Sequence, residues 1–253
     1  ALEGLSAFER RVAAVHGLDK MPPEKLRAAR LHYYALVSWV DDQVGRVMSC
    51  LAEKNRLERT LVVFGADHGT PVGDTGAFEK HTFAPCVHRV PLLMSWPGTL
   101  KAGEVRDELC DSLDIGKTLC GLTGISLPDE FRGRNLFSDP PPDKIFSTIG
   151  FGQPDSRMGP NGGRGEWYGG LGWPRRGCVR TARYRLDKNM RIDNRIPTPE
   201  EEDLFLADVR QDPFERTNLA ATADYVSVAT ELSQALDRHA EGSVEIPPEY
   251  LVR

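Results

Sequence analysis

The chain has 253 residues, of which 40% are hydrophobic and 8% aromatic, enough apolar material for one large domain or two small ones, which excludes a largely disordered protein. Its 32 Lys and Arg against 37 Asp and Glu give a formal net charge of −5, so no global basic field attracts nucleic acid or an anionic membrane. No apolar run approaches the ~20 residues needed to span a bilayer, and we expect neither a nucleic-acid nor a membrane partner.

The first half of the sequence alternates helical and strand patterns. Apolar residues within residues 23–55 recur at helical spacings and predict an amphipathic helix that covers a sheet. The short apolar run at residues 60–64 predicts a central strand, and residues 90–96 predict a second strand. Residues 111–124 predict a capped helix that ends at its glycine. This order indicates an α/β layered domain over residues 1–140.

The pattern changes after the three prolines at 140–142, and residues 141–253 predict a small α+β subdomain. Within residues 178–186, Tyr184 and Leu186 fall on one face of a strand, and Arg183 and Arg185 fall on the other. We therefore expect a hairpin with one face in water, whose turn is the Lys-Asn pair that follows residue 187.

Two further elements complete this second domain. Residues 204–206 predict one more strand, and Asp212-Pro213 predicts a turn. The last helix is predicted from its apolar stripe, which contains Tyr225, Ala229, Leu232 and Leu236.

Two side chains able to bind a metal follow the first predicted strand. Asp67 offers carboxylate oxygens and His68 an imidazole nitrogen, and the flanking glycines allow a turn in which both face one ion. Open α/β sheets bind ligands at the carboxyl ends of their strands. In isolation, the same pair favours a capped loop held by its own hydrogen bonds.

Several strings occur around this pair in a fixed order: Gly65-Ala-Asp-His-Gly69, Lys80-His-Thr82, Arg89-Val-Pro-Leu-Leu93, Trp96-Pro-Gly98, Gly133-Arg-Asn-Leu136 and Asp212-Pro-Phe-Glu-Arg-Thr-Asn-Leu-Ala220. Together they resemble the sulfatase family of the alkaline-phosphatase-like superfamily. Several independent strings in order are more specific than any one motif. The resemblance implies the C-terminal part of an α/β/α sandwich, followed by the family's C-terminal subdomain with an antiparallel sheet.

The resemblance also implies a metal-dependent sulfuric ester hydrolase. Asp67 and His68 match the positions that hold a divalent cation, which is usually calcium in the family, although an imidazole ligand suits manganese or zinc better. Lys80 matches a lysine that contacts the sulfate oxygens, and His81 beside it is a second candidate for a catalytic and substrate-binding role. The expected substrate is a sulfated small molecule or glycan.

The family's nucleophile is a formylglycine made from the cysteine of a Cys-x-Pro-Ser-Arg or Cys-x-Ala-x-Arg string, and neither string occurs here. The acidic pair Asp41-Asp42 lies inside the first predicted helix, where Asp42 and Arg46 are spaced for a surface ion pair. We therefore expect a fragment that lacks the formylglycine half of the enzyme, is inactive alone and exposes an unpaired strand edge. The family resemblance favours a periplasmic or extracellular localisation.

Three alternatives remain open. A phosphodiesterase or phosphonate monoester hydrolase of the same superfamily would use the same pair of metal ligands. A degenerate relative would have kept the fold, lost the nucleophile and become a binding module. The aromatic residues Trp167, Tyr168 and Trp173 of the glycine-rich loop either shape a substrate mouth or belong to a surface loop.

Overall fold

The computed structural model describes residues 4–16, 21–78, 80–128, 131–150, 174–192 and 195–241. These residues form two compact units, Glu9–Glu108 and the remainder from Leu109 onward together with the segment before Glu9. The domain boundary near residue 140 stays a prediction. In the part of the chain that the structure describes, no helix combines the length and the apolar character required to cross a bilayer.

The first unit contains the elements that surround the candidate site. After a helix α1 (Ala7–His16), they are α2 (Pro23–Glu53), β1 (Val62–Gly65), α3 (Pro85–His88) and β2 (Leu92–Ser95), with a 3-10 turn at Leu57–Arg59. Pro23 begins α2, where a missing backbone N–H costs nothing. Asn55, with a φ of +52°, follows its end. The predicted long helix and both predicted strands are present.

Strands β1 and β2 pair antiparallel, with Val62 opposite Ser95 and Gly65 opposite Leu92. The sequence predicted β1 to be central, whereas β2 is its only neighbour among the described residues. Phe64 is 38% exposed and Leu93 59% exposed, so this two-stranded sheet presents apolar side chains to water.

Helix α2 is amphipathic as predicted, but the structure does not show it covering a sheet. None of its side chains is buried, and Trp39 is 62% exposed. Other large apolar side chains exposed along α2 are Leu31, Tyr34, Leu36, Val37, Val40 and Val47. The predicted ion pair between Asp42 and Arg46 is wrong, because Arg46 donates to the side-chain oxygen of Gln43 at 2.8 Å instead.

The second unit begins with α4 (Ser112–Thr123), whose predicted caps are confirmed. The Asp111 carboxylate accepts hydrogen bonds from the backbone N–H groups of Leu113 and Asp114, at 2.8 and 3.3 Å. Asp114 in turn accepts from the N–H of Asp111, which completes a capping box. Gly124 ends the helix with a φ of +72°, a conformation that favours glycine.

The buried face of α4 holds the segment that follows it. Asp114 accepts a hydrogen bond from the N–H of Arg134 at 2.8 Å, and the Thr118 hydroxyl accepts one from the N–H of Leu136 at 2.9 Å. Gly133 has a φ of +101°, and a Cβ there would collide with the backbone of α4. Gly133 of the Gly-Arg-Asn-Leu string is therefore required for the backbone to pack on α4.

The four-stranded sheet of this unit is antiparallel and confirms the predicted α+β arrangement. Its strands, in spatial order, are β3 (Ile145–Ile149), β4 (Arg175–Arg180), β5 (Tyr184–Arg191) and β6 (Phe205–Asp208). After a 3-10 turn at Ala223–Tyr225, helix α5 (Val226–Glu241) packs on β4 and β5. The apolar core between them contains Val179, Leu186, Leu206, Ala229, Leu232 and Leu236.

The hairpin of β4 and β5 turns earlier than predicted. The Thr181 hydroxyl accepts hydrogen bonds from the N–H groups of Arg183 and Tyr184, at 3.2 and 2.8 Å, and thereby forms the turn. Lys188 and Asn189, the predicted turn, instead lie within β5. The side chain of Thr181 therefore forms the turn in place of the predicted lysine-asparagine pair.

The predicted wet face of the hairpin is wrong for Arg185, which is buried in ion pairs, whereas the Arg183 side chain is 43% exposed. Arg185 has no exposed surface and donates to Asp187 at 2.8 Å and to Glu215 at 3.1 Å. Arg176 donates to the other oxygen of Asp187 at 2.6 Å. Arg180 binds both oxygens of Glu215, at 2.6 and 2.8 Å. Each carboxylate thus lies between two guanidinium groups.

These ion pairs change the protonation behaviour of the buried groups. Burial by itself would raise the pKa of Asp187, but the charges of Arg185 and Arg176 outweigh burial and lower that pKa below its ordinary value. Burial raises the pKa of the Cys178 thiol to about 12. Cys178 therefore stays a thiol at neutral pH and is a poor nucleophile.

Replacing Glu215 by Ala should destabilise the protein by about 3–5 kcal/mol, because Arg180 would lose its carboxylate partner and Arg185 would lose one of its two. Urea unfolding measures this loss. Glu201→Ala is the matched control, since Glu201 also binds both terminal nitrogens of an arginine, Arg195, at 2.6 and 2.7 Å, but at an exposed site. The control should change stability little, and equal losses in both variants would contradict the assignment.

The lowered pKa of Asp187 makes stability depend on acid pH. Because the folded-state pKa lies below the unfolded value of about 3.9, the contribution of Asp187 is complete above that value and is lost as the pH falls through the folded pKa. Urea unfolding from pH 6 to pH 2 should show this decline. Carbon-13 NMR of the carboxyl group should place the midpoint for Asp187 below 3.9, and a higher midpoint would contradict the ion-pair interpretation.

Candidate active site

The candidate site lies in the connection that leaves β1 and returns to β2. Because these strands pair antiparallel with Gly65 opposite Leu92, the connection begins and ends at the same edge of the sheet. Asp67 and His68 follow that edge directly. The sequence therefore predicted their place at the carboxyl end of β1 correctly.

Asp67 and His68 are adjacent in the chain and still direct atoms to one point. One carboxylate oxygen of Asp67 accepts a hydrogen bond from the backbone N–H of His68 at 2.9 Å. The other, Oδ2, lies 3.4 Å from His68 Nε2. The Asp67 side chain is 85% exposed and that of His68 is 36% exposed, so solvent reaches both atoms.

Lys80, distant in sequence, meets His68. Its Nζ lies 2.7 Å from His68 Nε2. An ammonium group has donors and no acceptor, so Nε2 accepts this bond with its lone pair. The imidazole proton then belongs to Nδ1, which donates to the carbonyl oxygen of Gly69 at 2.9 Å. Two acceptor atoms, Nε2 and Asp67 Oδ2, thus lie together beside a cation.

Backbone contacts fix the turn that carries these side chains. The N–H of Gly69 donates to the carbonyl oxygen of Val87 at 2.8 Å, and a Cβ at Gly69 would collide with the carbonyl oxygen of Cys86. The Thr70 hydroxyl donates to the carbonyl oxygen of Phe78 at 2.6 Å. The turn is therefore tied both to α3 and to the segment that leads to Lys80.

Arg30 of α2 holds the middle of the connection. It donates to the carbonyl oxygen of Val72 at 2.9 Å and to the carboxylate of Asp74 at 2.8 Å. Val72 and Gly73 both have positive φ, +46° and +89°, so this bend depends on the external support. The sequence predicted the need for a glycine at position 69 from its place directly after the Asp-His pair. It carried no signal for Arg30, because Arg30 is far in sequence from Val72 and Asp74.

The structure describes some of the other residues predicted for the site. His81 follows Lys80 and is half-buried, and its role toward a substrate stays a prediction. Thr82 and Phe83 after it are buried. The aromatic residues Trp167, Tyr168 and Trp173 lie outside the described residues.

The arrangement of Asp67 and His68 fits part of a metal site. Two ligand atoms bound at a right angle to one cation, with bonds of ~2.4 Å, lie about 3.4 Å apart, and Oδ2 and Nε2 have that separation. Across the described segments, no group of three or more His, Cys, Asp or Glu side chains could hold an ion. The pair thus supplies two ligands, and a complete coordination shell needs more.

Comparison with known proteins gives the family context. The family model described as Sulfatase matches residues 6–125. An arylsulfatase from Clostridium perfringens is 36% identical over 114 residues, which are 44% of this chain and 24% of that protein. An N-acetylglucosamine-6-O-sulfatase from Bacteroides thetaiotaomicron is 25% identical over 205 residues, which are 81% of this chain and 34% of that protein. The chain spans about a third or less of the length of these relatives.

Solved structures show the fold over nearly the whole chain. A phosphonate monoester hydrolase from Silicibacter pomeroyi superposes with a TM-score of 0.74 at 23% sequence identity. The superposition covers 95% of this chain and 48% of that protein. At this identity the likeness establishes the fold and leaves the chemistry to the site residues.

Replacing Gly69 by Ala should destabilise the turn, because the added methyl group collides with the Cys86 carbonyl and displaces the oxygen that holds His68 Nδ1. We expect a loss of about 1–3 kcal/mol in urea unfolding and altered nitrogen-15 shifts of the His68 ring. Gly45→Ala is the control, since nothing lies within 4 Å of its added carbon on α2. A neutral Gly69→Ala variant would show that the turn is not fixed by this contact.

Proposed function

We propose that the chain, whose residues 6–125 match the sulfatase family model, contributes half of an active site that hydrolyses sulfate esters. Its fold is the alkaline-phosphatase-like fold of the structures with which it superposes. The observation that carries the proposal is that His68 Nε2 lies 3.4 Å from Asp67 Oδ2 and 2.7 Å from Lys80 Nζ. The carboxylate and the imidazole can bind a cation, and the ammonium group can bind an anion. Together these groups suit an anionic ester as substrate.

In the proposed site, Asp67 and His68 bind a divalent cation through Oδ2 and Nε2. The cation, when bound, supplies positive charge that stabilises the negative charge developing on the ester oxygens. Lys80 contacts the sulfate oxygens through its ammonium group. His81 is proposed as a second group that binds the substrate or transfers a proton to the leaving oxygen.

The family resemblance favours calcium as the cation. The ligand chemistry of His68 favours manganese or zinc, because calcium prefers oxygen ligands and imidazole suits transition metals. We therefore propose a divalent metal, with calcium as the family's usual ion and manganese or zinc as the outcomes that a metal analysis distinguishes.

The proposed nucleophile is a formylglycine that lies outside these 253 residues. None of the five cysteines occurs in a Cys-x-Pro-Ser-Arg or Cys-x-Ala-x-Arg string. Cys178, moreover, is buried with its pKa raised to about 12. These 253 residues alone should therefore not hydrolyse sulfate esters, and the remaining metal ligands are proposed to come with the nucleophile.

A sulfated sugar is the proposed substrate class, and a sulfated small molecule is the alternative. This proposal is supported by one relative, an N-acetylglucosamine-6-O-sulfatase, which aligns with 81% of this chain. Sulfated glycans occur outside cells, so a periplasmic or extracellular location is part of the proposal.

A phosphonate monoester hydrolase is the second candidate, and the specific observation in its favour is the 25% identity and the TM-score of 0.71 to the phosphonate monoester hydrolase of Agrobacterium radiobacter. The two candidates share the metal pair and the fold and differ in the ester that they prefer. A degenerate relative that binds without catalysis, which is the non-catalytic alternative from the sequence, would turn over neither ester.

The full-length protein should hydrolyse p-nitrophenyl sulfate with a higher kcat/KM than p-nitrophenyl phenylphosphonate, and a chelator should abolish turnover. Lys80→Met should lower kcat/KM for the sulfate by about 10²–10³-fold, because a charge-stabilising donor is removed. Asp67→Asn should lower both the metal content and the rate.

Lys101→Met is the matched control, because Lys101 is an exposed lysine in the loop after β2. It removes the same charge and should leave kcat/KM unchanged. Preference for the phosphonate would replace the sulfatase proposal with the second candidate, and a full-length protein without hydrolytic activity would favour the binding module.

A further inference from the structure

The contact between Lys80 and His68 places a cation of the protein on an atom that a metal would need. We propose that Lys80 is an internal competitor for the metal: its ammonium group occupies the Nε2 lone pair of His68 in the metal-free protein and is released to bind an anion when the metal arrives. This inference rests on the proposed function, because it takes Asp67 and His68 as metal ligands.

The two uses of Nε2 exclude each other. Nδ1 of His68 already donates its proton to the Gly69 carbonyl oxygen at 2.9 Å. Nε2 therefore has one lone pair in the plane of the ring, and that lone pair accepts from Lys80 Nζ at 2.7 Å. A metal that binds Nε2 must take the same lone pair, so the ammonium group has to leave.

The local backbone allows the lysine side chain to leave while the loop stays in place. The Thr70 bond to Phe78 at 2.6 Å and the Gly73 bond to Ala77 at 2.8 Å fasten the connection just before Lys80. Lys80 itself is exposed, so its flexible side chain can swing into solvent. The Gly69 carbonyl keeps the His68 ring in one tautomer before and after the exchange.

The exchange couples metal binding to anion binding. While Lys80 contacts Nε2, its ammonium group is withheld from an anionic substrate, and metal binding frees it. By thermodynamic reciprocity, an anion that draws Lys80 away from His68 must tighten metal binding by the same factor. Metal and anion are therefore expected to bind with positive cooperativity that depends on Lys80.

The test is a titration of the full-length protein with Mn²⁺ alone, followed by isothermal calorimetry and by the electron paramagnetic resonance signal of free Mn²⁺. Lys80→Met should bind Mn²⁺ about ten-fold more tightly than Lys101→Met, because a charge-assisted hydrogen bond no longer has to break. Lys101→Met removes an equal charge from an exposed site and so corrects for the general electrostatic effect.

A second readout follows the ring itself. Nitrogen-15 NMR of His68 in the metal-free protein should show a protonated Nδ1 and an unprotonated Nε2, with an Nε2 shift that changes in Lys80→Met. Equal or weaker Mn²⁺ affinity of Lys80→Met relative to Lys101→Met, or a proton on Nε2 in the metal-free protein, would overturn the inference.

Failure of the inference and failure of the proposed function give different results. If Asp67→Asn and His68→Gln weaken Mn²⁺ binding while Lys80→Met does not tighten it, the metal site stands and the competition is wrong. If neither Asp67→Asn nor His68→Gln weakens Mn²⁺ binding, the metal assignment fails and the competition fails with it.

Discussion

The candidate site depends on one constraint, which is that the connection between β1 and β2 must start and finish at the same edge of the sheet. Pairing of Gly65 with Leu92 imposes this closure. The connection then folds back on itself and brings Lys80 to within 2.7 Å of His68. Glycine at position 69 allows the close approach to α3 that keeps the turn in place. Without closure, the three side chains would remain separate features of the sequence.

The second unit buries charged side chains inside a small sheet. Arg176, Arg180 and Arg185 lie within two adjacent strands, and simple alternation sends such residues to water. Asp187 comes from the same hairpin, but Glu215 comes from the Asp-Pro-Phe-Glu string beyond β6. The string that carries the family resemblance therefore contributes a structural carboxylate that two guanidinium groups require. Removing either carboxylate would leave the buried charge of an arginine without a full counter-charge, so the arginines and the two carboxylates depend on one another.

The two units differ in which side chains are buried. In the first unit, large apolar side chains of α2 and β1 are exposed, while Phe83 and Ala84 before α3 and Val87 within α3 are buried. In the second unit, arginine and aspartate are buried beside an ordinary apolar core. Periodicity reports which residues share a face, but the environment of that face depends on what packs against it.

The sequence by itself determined the elements with local causes. The capped helix α4, the turn at Asp212, the stripe of α5 and the Asp-His pair after a strand follow from spacing, caps and turn residues, and the ordered strings predicted the family. Tertiary structure alone decided the partner of His68, the support that Arg30 gives to Val72, the burial of Arg185 and the position of the hairpin turn. These features arise between residues far apart in the chain or from competing local signals, and a periodic pattern carries no information about which distant group neutralises a charge or closes a loop.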